Sequence, residues 1–578
     1  MLHAPLLAFA LLTAPQDQAA PTAAAQAPAM AQPPGALETF DADPGIAATA
    51  TGDGARRKGV GPKVADGELI VLEPWWKLDT SVGLPATDGA VASRELSVAF
   101  DLQLEVGCEG AGFAWLALDA FGEAGAPPLP EPSPECRVEV ENEDGTTSAH
   151  GGWEAPNFAG SLGIGFDAKN PWTNEPFRGS GNIHHRPEHE ISLHWDGRER
   201  FKKTTGIDFR DGEEHAVRMH VEYVPGGAFV DLTLDDEVVF ERYFLPGATA
   251  YRGRAAFGGR NTETAGWAAV DDLRIERKDA MEVPFPAPTV ITAIDAQLNH
   301  SGAHETRGTA TLPDDLSGYE RILLTLKLDE PENGFDPWDR LAHLYVEDEE
   351  LGRVELLRYI TPYDLGGEWT LDVTDMAPVL TGERSFVQRC ETYAQGWIVS
   401  VEISLYPRPA GWAAGPQPYR VERLWEGKCI VGNPDNPTSD FFPQRTLALD
   451  PETVAVEVRT AVTGHGMSPN TDNAAEFMPL DRVLIIGGAA HEDTLWKTDN
   501  YLNPVRPQGG TWKYDRAGWA PGDIVPPWEV PAPAEVLGGD SLLVHYEIAP
   551  YENVNRGQTW EPFHQVSSYA VLFREASE

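Results

Sequence analysis

The chain has 578 residues, and Asp and Glu outnumber Lys and Arg by 90 to 44, a formal charge of -46. Such an excess excludes nucleic-acid binding, which needs a basic face, and docking of the whole molecule on anionic lipid. A hydrophobic fraction of 42% with 17 Trp excludes a disordered acidic chain, the length requires several cores, and 56 Gly with 48 Pro favour short strands and many turns over long helices.

Residues 4–12 form a short apolar run followed by Thr13 and Ala14, too short to span a bilayer and of secretory-signal type. We therefore expect a signal peptide over 1–20 and export to a periplasmic, cell-surface or secreted location, without membrane insertion. The Ala-, Pro-, Gly- and Gln-rich stretch 21–66 reads as a disordered linker. Ordered sequence follows over 67–279. Period-two alternation marks Leu96–Val106, Phe113–Leu118, Val217–Val224 and Phe229–Phe240, where Val230, Leu232 and Leu234 oppose Asp231, Thr233 and Asp235. One wet face and one dry face are what an antiparallel sandwich requires.

The Pro-rich stretch Met281–Pro288 ends this block. A second spans 289–406, with strand signals at Ile322–Leu328, Leu344–Val346 and Trp397–Leu405. After the breaker Pro407–Pro418, a third occupies 419–578, with strands expected at Val454–Val462, Arg482–Ile486, Leu542–Ile548 and Val566–Phe573. No stretch sustains a 3.6-residue period, so the fold class is all-β, three sandwiches in a row.

There is no P-loop, no nucleophile elbow and no H-E-x-x-H. Of the four cysteines, Cys108, Cys136, Cys390 and Cys429, the first two could bridge across the Pro-rich 126–134 stretch, as suits an exported protein. His184, His185 and His189 with Glu188 and Glu190 cluster as metal-ligand types, although such runs more often sit in water. In N-G-F-D-P-W-D-R-L-A-H-L-Y-V (333–346), Trp338, Asp339 and Arg340 put an indole, a carboxylate and a guanidinium side by side before a strand. An indole stacks on a pyranose face, a carboxylate handles a proton and Arg fixes hydroxyls. A loop-edge ion pair beside a packed Trp gives the same pattern. The segment Y-D-R-A-G-W-A-P-G at 514–522 is equally suggestive and equally unspecific.

The motifs D-P-W-D-R-L-A-H-L-Y-V (336–346), R-Y-I-T-P-Y (358–363), L-D-V-T-D-M-A-P-V-L-T-G (371–382), C-E-T-Y (390–393) and D-R-A-G-W-A-P-G (515–522) occur in one order. Over about Pro313 to Phe573 the chain resembles the bacterial peptide-N-glycosidase F family. That resemblance implies two eight-stranded antiparallel jelly rolls with a cleft between them. It also implies an amidase that cleaves the bond between asparagine and the first N-acetylglucosamine of N-linked glycans, leaving aspartate, with N-glycosylated proteins or glycopeptides as substrates and no metal or other cofactor. By the same resemblance Asp339 is the primary catalytic carboxylate, Glu391 and Glu476 are its catalytic companions, and Trp338, Arg340, Tyr393, His465, Arg516 and Trp519 are substrate contacts. Tyr393 stands where the family has Trp in E-T-W, His465 replaces a stacking Trp, and Ala520 stands where the family has Cys. The copper monooxygenases built on tandem jelly rolls need an H-x-H pair, and no such pair occurs after residue 320. A non-catalytic glycan-binding or surface-interaction protein is the alternative.

The segments GAGFAWLAL (110–118), GSLGIGFDAKNP (160–171), EISLHWDG (190–197) and RAAFGGRN…VDDLRI (254–275) make the N-terminal block resemble legume-lectin or concanavalin-like sandwiches. The resemblance implies carbohydrate binding and places a structural calcium at Asp167 and Asn170. Gly165 replaces an acidic ligand there, and Ala111 stands where the sugar-binding Asp belongs. A spacer or protein-binding sandwich is the other reading of this block.

Overall fold

A computed structural model describes residues 36–576 except 86–91, 123–124, 130–137, 142–146, 151–157, 168–188, 262–263, 469–473, 501–502, 504, 506–507 and 557–560. The expected signal peptide lies outside these residues, as do Cys136, Asn170, His184, His185 and Glu188. The described secondary structure is almost wholly antiparallel strand. Among the described residues no helix is long and apolar enough to cross a membrane.

The N-terminal block is a sandwich of an eight-stranded and a seven-stranded sheet. Their inner faces share one core, in which Phe100, Phe113, Phe166 and Phe257 meet edge to face or stacked at 5.3–6.4 Å. The alternating run Phe229–Phe240 is two strands, Gly227–Leu234 and Glu237–Pro246. Asp235 and Asp236 at φ 48° and 66° close a tight turn between them, which short polar side chains tolerate.

The linker expected over 21–66 needs correction from residue 36 onward. Ala36–Glu38 pairs with the closing strand Ala268–Met281, Ala47–Gly52 is the edge of the seven-stranded sheet, and Lys63–Ala65 is the edge of the eight-stranded one. Small residues can form such strands because edge pairing is made by the backbone and needs no apolar side chain.

Two further sandwiches follow. The first packs the sheet containing Thr289–Asn299, Trp397–Pro407, Tyr319–Asp329 and Gly367–Asp372 on another containing Glu305–Thr311, Glu383–Cys390, Leu341–Asp348 and Gly352–Ile360. The second packs Gln417–Ile430, Phe563–Arg574, Thr453–His465 and Trp528–Pro531 on Arg445–Ala448, Ser541–Ile548, Leu480–Ile486 and Ala489–Leu495. Each is an eight-stranded jelly roll.

The two rolls are fused at their contact. Asp523–Ile524, from the second, extends a sheet of the first beside Tyr359–Ile360. Val421, Tyr569 and Val571 of the second join the core of the first, and the Tyr569 hydroxyl accepts the Glu355 N–H at 2.9 Å. Buried Arg358 donates to the Gln565 carbonyl at 2.6 Å and the Ala461 carbonyl at 3.2 Å while pairing with Glu355 at 2.7 Å. One guanidinium thus ties together strands of both rolls under the cleft. The N-terminal sandwich touches the first roll more lightly, with Arg321 over Phe229 and Phe244 and Gly226 against Tyr406.

Candidate active site

A cleft of about 1110 Å³ opens between the rolls, with Asp339, Glu391 and Glu476 all in its walls. The turn bearing Asp339 is built by its neighbours. Asp336 is fully buried, accepts the Trp338 N–H at 3.0 Å and receives the Thr392 hydroxyl. Thr361 closes the other side, its hydroxyl accepting from Arg340 N–H at 2.8 Å and donating to the Trp338 carbonyl at 3.1 Å. These bonds explain why 336–346, 358–363 and 390–393 read as motifs. Each supplies one side of a cage that fixes Trp338, Asp339 and Arg340 at a strand entrance.

The same bond to Asp336 holds Thr392 inward, while its neighbours Glu391 and Tyr393, just past the strand Glu383–Cys390, are exposed. Glu391 pairs with Arg389, which holds its carboxyl below the usual range, and its side chain is 55% exposed. Tyr393 is exposed beside Arg340, 5.8 Å from ring to guanidinium. Trp338 is 57% exposed and presents its indole to the cleft.

Glu476 comes from the second roll. Its N–H and that of Ala475 donate to the Gly466 carbonyl, and its own carbonyl accepts from Ala517 N–H at 2.9 Å, so the segment is held between the end of the strand Thr453–His465 and the loop carrying Arg516. Arg516 links the two acids across the interface, 3.8 Å from Asp339 and 3.4 Å from Glu476. Arg516 is fully buried, donates to the Thr511 and Tyr514 carbonyls and lies 4.6 Å from the Trp519 ring centroid. Burial raises the Glu476 carboxyl to about 7, with Arg516 opposing the shift and the Asp339 charge adding to it.

Arg516 and Trp519, expected as sugar contacts, are both buried, and Trp519 lines the cleft wall. Trp519 is 4% exposed, donates to the Gly464 carbonyl at 2.8 Å and stacks on His465 at 5.4 Å. Gly518 allows this at φ 79°, since a Cβ there would lie 2.7 Å from the Val462 carbonyl. His465 reaches the cleft wall, and burial among cations holds its imidazole well below the usual range, hence neutral.

Sequence reasoning did not single out Tyr363, although it closes R-Y-I-T-P-Y. Its hydroxyl meets Thr511 at 3.2 Å and lies within reach of the Asp339 charge, which with burial holds the phenol above its usual range. Sequence reasoning also passed over Arg389, which pairs with Glu391 two residues on, and the buried pair His343–Glu355 at 2.7 Å, whose members lie on different strands.

The remaining metal candidates resolve differently. Asp167 is buried and its Oδ2 pairs with Arg260 at 2.9 Å. His189 faces Asp208 at 3.0 Å, and Glu190 pairs with buried Lys202 at 2.8 Å. Among the described residues no group of three or more His, Cys, Asp or Glu is placed to hold a metal. Cys108, Cys390 and Cys429 are free, buried thiols. The expected Cys108–Cys136 bridge involves a residue outside the described ones.

Residues 438–569 match the family model "Peptide-N-glycosidase F, C terminal". A relative from Elizabethkingia miricola, the peptide-N(4)-(N-acetyl-beta-D-glucosaminyl)asparagine amidase F, is 26% identical over 314 residues, covering 51% of this chain and 86% of the relative. A solved N-glycanase F shares 24% identity over 50% of this chain and 97% of its own, with a TM-score of 0.44. The exoplasmic/lumenal domain of VIP36 in a Ca2+/Man2-bound form is 11% identical over 41% of this chain and 83% of its own, with a TM-score of 0.27.

Proposed function

We propose that this chain, whose C-terminal part belongs to the peptide-N-glycosidase F family, hydrolyses the amide bond between asparagine and the first N-acetylglucosamine of N-linked glycans. The observation that carries the reading is the pair Asp339 and Glu476, delivered from different rolls and joined by Arg516 in one cleft.

Amide hydrolysis needs a base for the attacking water and a proton for the departing nitrogen. Asp339, steadied by Arg516 and Tyr363, orients the water and accepts its proton as the oxygen bonds to the side-chain carbonyl carbon. Glu476 holds a proton near neutrality because it is buried beside another carboxylate, and it gives that proton to the nitrogen as the C–N bond breaks. The peptide leaves with aspartate and the glycan as a glycosylamine. Environments that separate two carboxylates into a base and an acid are a general route to such chemistry at neutral pH.

Glu391, held ionised by Arg389, accepts hydrogen bonds from sugar hydroxyl or acetamido groups. Trp338, Tyr393 and His465 flank the path of the chitobiose core, with Arg340 supplying a fixed donor. No step requires a metal. The N-terminal sandwich serves as a targeting module on glycoprotein or polysaccharide outside the cytoplasm, raising local substrate concentration.

The test is incubation of a denatured high-mannose glycoprotein with wild type and Asp339→Asn, with EDTA in a parallel tube. Glycan release by wild type alone, unaffected by EDTA, supports the reading. No release from several glycan types, with glycan binding retained, makes the protein a lectin on an amidase fold.

A further inference from the structure

Besides Trp338 in the cleft, the exposed tryptophans among the described residues are Trp75 and Trp76, at 36% and 66% exposure, adjacent on the loop between Glu68–Leu72 and Leu78–Gly83 of the N-terminal sandwich. Contiguous exposed apolar surface, unlike a single exposed side chain, marks interaction sites. This loop is held firmly in place. Trp75 packs so closely on Gly54 that a Cβ there would lie 2.9 Å from the Trp75 Cβ, and Arg57 stacks 4.6 Å from the indole centroid. Lys77 adopts φ 48°, a left-handed conformation that a long side chain takes only under constraint.

The surroundings are basic in an acidic molecule. Segment 54–63, Gly-Ala-Arg-Arg-Lys-Gly-Val-Gly-Pro-Lys, carries four cations and no anion in a chain of 44 basic and 90 acidic residues. It is fastened to the tryptophan loop by Glu73, which accepts Gly61 N–H at 2.7 Å and pairs with Lys63 at 2.5 Å. Arg56, Arg57 and Lys58 are exposed, and the single exposed carboxylate of Asp53 lies 4.0 Å from Arg56 and 3.8 Å from Lys77, leaving the cations in excess.

We propose that Trp75 and Trp76, with Arg56, Arg57 and Lys58, form a binding site for a carboxylate-bearing polysaccharide. The open Trp76 indole receives the C–H face of a pyranose ring, Trp75 with Arg57 stacked on it flanks the chain, and the cations receive the carboxylates. An anionic membrane is the poorer occupant. A flat charged surface would meet the whole molecule's charge of -46, whereas a slender chain can touch the basic patch alone, beyond about one Debye length (~10 Å at 0.1 M salt) from much of the rest. The site does not depend on amidase chemistry and lies on a different sandwich from the cleft.

The test uses the full-length protein and polygalacturonate in titration calorimetry, with neutral mannan and phosphatidylserine-containing vesicles as comparison arms. Polygalacturonate is expected to bind and mannan to bind at least tenfold more weakly. Trp76→Ala, at the more exposed position, should weaken binding at least tenfold without altering the melting temperature. Arg56→Ser/Arg57→Ser/Lys58→Ser should remove most of its salt dependence. Equal binding of Trp76→Ala and wild type, absence of polygalacturonate binding, or binding to vesicles alone would overturn the proposal. Glycopeptide cleavage, measured separately, tests the amidase reading and has no bearing on this site.

Discussion

At the scale of single residues the site rests on what surrounds each carboxylate. Asp339 and Glu476 are equally exposed at 19% and share one guanidinium, and burial raises the Glu476 carboxyl to about 7. Its protonated form predominates below that pH, so kcat should fall as pH rises through about 7. Glu476→Gln should lower kcat about 100-fold or more, the scale of a lost general acid, and flatten that limb; an unchanged alkaline limb would remove Glu476 from the donor role. Asp339 was legible because its neighbours are motif residues. Glu476 was placed only by resemblance, since nothing in A-A-E-F shows that Arg516 lies opposite. Tyr363 was present in a quoted motif, yet its place near Asp339 depends on a fold that brings Thr511 to its hydroxyl.

Among elements, the strands that alternate were readable and those that pair through backbone alone were not. Leu96–Val106 lies mostly on Ala92–Leu104, and Trp397–Leu405 on Trp397–Pro407, because each presents a dry face to a core. Ala47–Gly52 carries only small residues and pairs at a sheet edge, so its composition resembles a linker. The joining of the rolls is likewise an affair of elements, carried by Arg358. Arg358→Ala would leave Glu355 buried with its charge poorly compensated, a loss of about 3–5 kcal/mol, measurable as a lowered denaturant midpoint. A midpoint within error of wild type would show that the tie is dispensable. Gly510 is a second such point. It sits at φ 68°, and a Cβ would lie 2.6 Å from the Tyr363 ring, so Gly510→Ala should lower both melting temperature and kcat.

For the whole molecule, two features govern stability. The rolls share core residues and the N-terminal sandwich has its own core, so calorimetry of the full chain should resolve the sandwich from a single joint transition of the rolls. On the interface away from the cleft, Asp375 of the first roll and Glu457 of the second are raised by burial to about 6 and about 7, with Arg459 between Asp375 and Glu529. Raised carboxyls favour folding while protonated, and that contribution is lost as pH rises through 6 and 7. Glu457→Gln should therefore melt higher than wild type at pH 8, with the difference vanishing near pH 4. The three-block architecture was legible because Pro-rich breakers separate the alternating runs, whereas the fusion of the last two blocks is made by residues distant in sequence. The central claim concerns that fused cleft. Its most direct measurement is the mass of each former glycosylation site after incubation of a denatured high-mannose glycoprotein with wild type or Asp339→Asn. The account predicts the roughly 1 Da gain of asparagine becoming aspartate with wild type, and at least a 100-fold slower gain (~3 kcal/mol in the barrier) with the variant. Equal conversion by both proteins, or glycan release that leaves an N-acetylglucosamine on asparagine, would contradict it.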